Sequence, residues 1–199
     1  MVINLLLLFN MKLVRDESIA TTEVNRSKFI AHLFPFEHFK KKLDQLKTDH
    51  PKARHFVYAY RYFNELNQIV ENQSDDGEPK GSSGRPVLNV LRGNEMINTA
   101  IIIVRYFGGT KLGVGGLVRA YTESVHQVLQ KSNLLDYKRR ISKSITVGYR
   151  DVGLVEHILK QYANTSWEKK FAEKNVEICF NVDEEDCELI MNRFKEICY

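Results

Sequence analysis

The sequence predicts an α+β protein built as two domains, and three observations carry that reading. The run Thr99-Ala100-Ile101-Ile102-Ile103-Val104 is continuously apolar and β-branched, as a central strand covered on both faces requires. Short strand-like segments alternate with helical stripes along the whole chain. The charge also changes sign at a polar junction near residues 137–142: residues 1–140 hold 21 basic and 14 acidic residues, a net +7, whereas residues 141–199 hold 8 and 11, a net −3. The expected division is an N-terminal extension over residues 1–10, a first domain over 11–138 and a second over 141–199.

Each element follows in order. Ser18 to Glu23 and Lys28 to Phe36 read as short strands around the turn-like Asn25-Arg26-Ser27. Phe36, Phe39, Leu43 and Leu46 recur at helical spacing, with Lys40, Lys41, Lys42 and Lys47 largely off that stripe. Phe56 to Tyr60 reads as a strand, and Asn64 to Gly84 shows no sustained period. Pro86 suits a helix start, with Val87, Leu88, Val90 and Leu91 as its apolar side. After the central strand and Gly115-Gly116, a helix places Leu117, Val118, Tyr121, Val125, Val128 and Leu129 on one face. Arg119, Glu123, His126 and Gln130 fall on the other, and His126 reads as a surface histidine.

The remainder patterns separately. Ile145, Val147 and Tyr149 alternate as a strand; Leu154, Val155, Ile158, Leu159 and Tyr162 make a helix; Trp167 and Phe171, then Val176, Ile178, Phe180 and Val182, make two strands. Asp183 caps a last helix bearing Ile190, Phe194 and Ile197. The order β-α-β-β-α is that of a ferredoxin-like module without its final strand.

Composition excludes several classes. With 199 residues, 43% apolar, four Pro, eleven Gly and three Cys, the chain is no collagen, disulfide scaffold or low-complexity protein. Cys179, Cys187 and Cys198 are odd in number and lack metal-ligand spacing, which argues for no disulfide partner, no zinc and a reducing cytoplasm. The apolar run Val2-Ile3-Asn4-Leu5-Leu6-Leu7-Leu8-Phe9 lacks the basic start and cleavage pattern of a signal peptide and is too short to span a bilayer. Met11 reads as an alternative translation start, and no membrane association is expected.

Two segments hold potential chemistry. Ser74-Asp75-Asp76-Gly77-Glu78-Pro79-Lys80-Gly81-Ser82-Ser83-Gly84-Arg85-Pro86 is a loop with three carboxylates. Asp75, Asp76 and Glu78 fit either Mg²⁺ or proton transfer, or the structural work of turns and a helix cap. The second, Arg105-Tyr106-Phe107-Gly108-Gly109-Thr110-Lys111-Leu112-Gly113-Val114-Gly115-Gly116-Leu117-Val118-Arg119, joins the central strand to a helix through five glycines. Gly108, Gly109, Gly113, Gly115 and Gly116 at a helix N-terminus, with Arg105, Lys111 and Arg119 nearby, fit an anion such as phosphate. Close strand-to-helix packing fits the same glycines. Neither GxxxxGK[ST] nor a complete GxGxxG is present, and no GxSxG elbow or activated cysteine supports a catalytic nucleophile. His55, next to Arg54 at a strand start, reads as a structural or surface histidine rather than a catalytic one.

Together these segments carry a family resemblance. Asp75-Asp76-Gly77-Glu78-Pro79, Gly81-Ser82-Ser83-Gly84-Arg85-Pro86 and the stretch from Val104 to Tyr121 resemble the signatures of the YigZ/IMPACT family, with Phe29-Ile30-Ala31 and His55-Phe56 also in keeping. The resemblance extends over essentially everything after residue 11. It implies a first domain of the ribosomal-protein S5 domain 2-like type and a ferredoxin-like second domain similar to the last domain of the translocating elongation factor. Eukaryotic members regulate translation by competing for an activator of an initiation-factor kinase. Members with the present two-domain layout are bacterial and lack that pathway.

The resulting expectation is a cytoplasmic, non-catalytic protein that binds RNA or a ribosome-associated factor and bears on translation. The alternative is a Mg²⁺-dependent enzyme acting on a phosphorylated small molecule or nucleotide. No cofactor is otherwise expected.

Overall fold

The computed structural model describes residues 11–197; the expectations for residues 1–10, the Ile197 side chain and Cys198 lie outside the described residues. The chain divides between Tyr137 and Lys138 into two compact units, and its class is α+β.

The first unit is organised by a five-stranded sheet of order β2-β3-β6-β4-β5, antiparallel throughout. Its strands are β2 Ser18–Val24, β3 Ser27–Pro35, β4 His55–Phe63, β5 Ile69–Ser74 and β6 Thr99–Tyr106. A 3-10 turn at Phe36–His38 leads into helix α1, Phe39–Asp49, while α2, Gly84–Gly93, and α3, Gly113–Lys131, pack on the other face. Strand β6 is central because its side chains serve both cores. Ile101 and Ile103 face Phe29, Leu33, Val87, Leu91, Tyr121 and Val125, while Ala100, Ile102 and Val104 face Phe34 and Leu46. Each of the three isoleucines is fully buried, a contribution of roughly 1.5–3 kcal/mol per side chain. A separate ribbon pairs β1, Lys12–Val14, with β7, Leu134–Asp136.

The second unit holds β8 Arg140–Val147, α4 Val152–Leu159, β9 Ser166–Phe171, β10 Val176–Asp183 and α5 Glu184–Ile197. Strand β10 lies between β8 and β9 and is antiparallel to both, the split arrangement of a ferredoxin-like sheet. Val147, Val155, Ile158, Ile178, Phe180, Cys187, Ile190 and Phe194 form its core.

Three local expectations are corrected. Strand β5 arises inside the segment that showed no period, because Glu71-Asn72-Gln73-Ser74 is polar and the strand is an edge bonded to β4 alone. Helix α3 begins at Gly113, ahead of the Gly115-Gly116 pair. Tyr149 lies in a 3-10 turn after β8 and is exposed, so it does not continue that strand's buried alternation.

Candidate functional site

The two unusual loops meet at the end of β6. Asp75, between β5 and α2, ties the acidic loop into an anchor for α2. Its Oδ1 accepts from the Ser83 amide at 3.1 Å, the Ser83 hydroxyl at 2.7 Å and the Gly84 amide at 2.8 Å, and its Oδ2 accepts from the Gly81 amide at 2.7 Å. Burial raises the Asp75 pKa, but these donors outweigh it and leave the carboxyl below its ordinary value. Glycine is required at 84, where a Cβ would stand 2.7 Å from the Ser74 carbonyl oxygen. Asp76 adopts φ 42°, accepts the Phe56 amide at 2.6 Å and offers its carbonyl to His55 Nδ1 at 2.8 Å.

Glu78 turns inward. Its side chain is 4% exposed, its Oε1 accepts from Arg105 at 2.5 Å and from the Tyr121 hydroxyl at 2.8 Å, and its Oε2 stands 3.9 Å from His55 Nε2. Tyr121 is fully buried edge-on to Phe29, and burial together with the Glu78 charge raises its phenol well above the ordinary value. Arg105 thus lies beneath the glycine-rich loop, paired to the acidic one. Its guanidinium also reaches Ser27 Oγ at 3.5 Å and stands 5.3 Å and 5.9 Å from the Phe29 and Phe107 ring centroids.

Above that pair the chain leaves the sheet. Gly108 donates its amide to Ser27 Oγ at 3.1 Å, and a Cβ there would lie 2.1 Å from the Arg26 carbonyl carbon, so only glycine fits against the β2–β3 turn. Gly109 and Gly113 have φ of 87° and 69° and open space around them. Leu112 precedes α3 without a side-chain cap, leaving the first-turn amides of a 19-residue helix to be met from outside. Lys111 and Arg119 are exposed, and the Arg119 guanidinium folds back to 3.9 Å from the Cβ position of Gly115. Gly116 is closer packed, its Cβ position 3.1 Å from Leu112 Cβ.

Of the anion-site residues expected from sequence, Lys111, Arg119, Gly109, Gly113 and Gly115 share one surface, Gly108 and Gly116 shape it, and Arg105 is buried below. The contacts of Arg26, Ser27, Phe107, Tyr121 and His55 are not legible in the sequence, because a hairpin turn and a loop are brought together only by sheet register. Asp75, Asp76 and Glu78 each serve a different set of donors, and among the described residues no group of three His, Cys, Asp or Glu gathers as a metal site. Grooves of about 330 and 390 Å³ run along Arg15 and Pro35 elsewhere on the first unit, and neither is lined by a residue of the two loops. Among the described residues, no helix is long and apolar enough to cross a membrane, and Cys179 and Cys187 are free thiols.

Comparison with known proteins gives concordant results. Residues 25–129 match the Impact N-terminal domain. IMPACT family member YvyE of Bacillus subtilis is 32% identical over 166 residues, covering 82% of this chain and 75% of that protein. An IMPACT family member of Haemophilus influenzae is 29% identical over 180 residues, 87% of this chain and 85% of that one. YigZ of Escherichia coli is 38% identical over 112 residues, 55% of each chain. A crystal structure of a hypothetical protein shares the fold, with a TM-score of 0.68 at 24% identity over 94% of this chain and 91% of the other. With more than half its length matched by the Impact domain and these relatives on either side of 30% identity, the chain belongs to the IMPACT family.

Proposed function

We propose that the protein binds RNA through the cationic rim formed by the β2–β3 turn and the β6–α3 loop, without catalysing a reaction. The observation that carries this reading is a helix start that no side chain caps, with Lys111 just before it and Arg119 in its second turn, and with the Arg26 backbone packed against Gly108 of the same loop. All three are exposed, and none forms an ion pair with a described carboxylate. First-turn amides, a positive helix end and fixed cations are the donors that phosphate oxygens take up. Gly109, Gly113 and Gly115 leave the backbone open to such an oxygen, while Gly108, Gly116 and Arg105 support the loop from below. The first unit, residues 1–137, holds 18 basic and 14 acidic residues, and this net +4, smaller than the +7 of residues 1–140 because Lys138, Arg139 and Arg140 fall in the second unit, adds long-range attraction. IMPACT family membership supports a translation-associated RNA, such as a ribosomal segment, as the partner. The separate engagement of Asp75, Asp76 and Glu78 favours this reading over a Mg²⁺-dependent enzyme.

Fluorescence anisotropy with a labelled ribosomal RNA fragment tests it. Affinity is expected to fall steeply with salt, each phosphate contact adding about 0.7–0.9 to the log–log slope. The Lys111→Glu, Arg119→Glu double variant is expected to lose binding while keeping its fold. Absence of binding at low salt, or undiminished binding by that variant, would overturn the reading.

A further inference from the structure

We infer that the strand taken by this rim is single-stranded, with an unpaired base stacked on Phe107. The inference rests on the phosphate contacts proposed above and adds a place for a base beside them. In the first unit Phe107 is the exposed aromatic side chain among the described residues, at 43% exposure. The others are buried, packed into a core as Phe29 and Tyr121 are on one face of the sheet and Phe36, Phe39, Tyr58 and Tyr60 on the other, or half-buried against another ring, as Tyr62 is on Phe36 and Phe63 on Tyr137. An exposed ring on a soluble surface needs no explanation alone. This one combines a rigid mount with surrounding cations.

The mount is fixed from two sides. Arg105, held by Glu78, sets its guanidinium 5.9 Å from the Phe107 ring centroid, and the next residue, Gly108, is locked against Arg26 and Ser27. Binding a base there orders little that is mobile beforehand, so less of the stacking free energy is lost to entropy. Val114, 57% exposed in the first turn of α3, adds apolar surface near the loop, and Arg26, Lys111 and Arg119 supply charge for the adjoining phosphates. An aromatic platform set within a basic surface is how sequence-tolerant single-strand binders hold their ligands. A duplex keeps its base faces inside the stack and offers Phe107 nothing, whereas a basic rim alone attracts both forms. Preference for single strands over duplex is therefore the quantity that reports on Phe107.

Anisotropy titrations of the full chain at one low salt concentration read it, using a labelled unstructured oligoribonucleotide of about twelve nucleotides, its deoxy counterpart and an RNA duplex of the same length. The wild type is expected to bind both single strands more tightly than the duplex, and a tighter RNA arm assigns the site to RNA. Phe107→Leu is expected to weaken single-strand binding about five- to hundredfold and leave duplex binding and the melting temperature unchanged, with Phe107→Tyr retaining the wild-type preference. If Phe107→Leu keeps the wild-type ratio of single-strand to duplex affinity while Lys111→Glu, Arg119→Glu abolishes both, stacking is overturned and the phosphate rim stands. If the wild type binds neither form, or binds polyglutamate as tightly as the oligonucleotides, both readings are overturned.

Discussion

Glu78 and Arg105 form an ion pair in which both side chains are almost wholly buried, 4% and 5% exposed, and the pair joins the acidic loop to the central strand beneath the glycine-rich one. Two charges removed from water gain little net stability together, but either one left alone is costly. Glu78→Ala is expected to destabilise the protein by about 3–5 kcal/mol in urea unfolding, since it strands the Arg105 cation and removes the acceptor of the Tyr121 hydroxyl. The apolar pair Glu78→Leu, Arg105→Met is expected to recover much of that loss. A Glu78→Ala cost below about 1 kcal/mol would show that the pair does not hold the loops together.

Asp75 links acidity to the start of α2. Its pKa is depressed, so its stabilisation is complete above the ordinary value of 3.8 and is lost as the pH falls through the lower folded-state value. Asp75→Asn keeps the shape but not the charge that gathers four donors, and a loss of about 1–3 kcal/mol at neutral pH is expected. Chemical unfolding at several pH values should show the gap between wild type and variant closing below pH 3.8. A gap that stayed constant there would mean the Asp75 charge does no structural work.

Much of this was legible in one dimension. The β-branched run Thr99 to Val104 had to be doubly covered, and β6 indeed feeds two cores. Strand β5 was hidden because an edge strand can be polar on both faces, and β1 and β7 because three residues are too few to establish a period. The glycines marked the loop, but Gly108 is explained by a close approach to Arg26, a contact between segments some eighty residues apart. Arg105 illustrates the limit best: next to a glycine loop in sequence it reads as a surface cation, and only the folded loop containing Glu78 makes it an internal one.

The glycines of the β6–α3 loop should therefore differ sharply under substitution by alanine. At Gly108 the new Cβ would meet Arg26 backbone at 2.1 Å, which nothing but movement of the turn relieves, and a large drop in melting temperature is expected. Gly109 has open space but a φ of 87°, so its cost is limited to left-handed backbone strain of about 1–2 kcal/mol. Gly115 lies in α3 with only the Arg119 guanidinium nearby, and Gly115→Ala is expected to stabilise by roughly 0.5–1 kcal/mol through helix propensity. Differential scanning calorimetry of the three variants checks the ranking, and a Gly108→Ala protein as stable as Gly115→Ala would refute the close approach.

His32 supplies a second pH dependence on the opposite face of the same sheet. Burial lowers its pKa below 6.5 against the pull of Glu17, whose Oε1 is 2.8 Å from Nδ1, with Lys42 and the nearby His50 adding to the depression. The unfolded chain takes up a proton at this imidazole as the pH falls below 6.5, while the folded chain does not until its lower value is reached. Stability is then lost over that window, at a slope of at most about 1.4 kcal/mol per pH unit, and levels off beneath it. Glu17 acts in a lower range, its depressed carboxyl stabilising above 4.5 and ceasing to do so as the pH falls through its folded value. His32→Gln removes the first dependence, while the Lys42 partner of Glu17 keeps the second. Unfolding free energies of wild type and His32→Gln, measured from about pH 7.5 down to 5, should converge as the pH drops. Parallel curves across that range would show that the buried imidazole is protonated in the folded protein as readily as in the unfolded one.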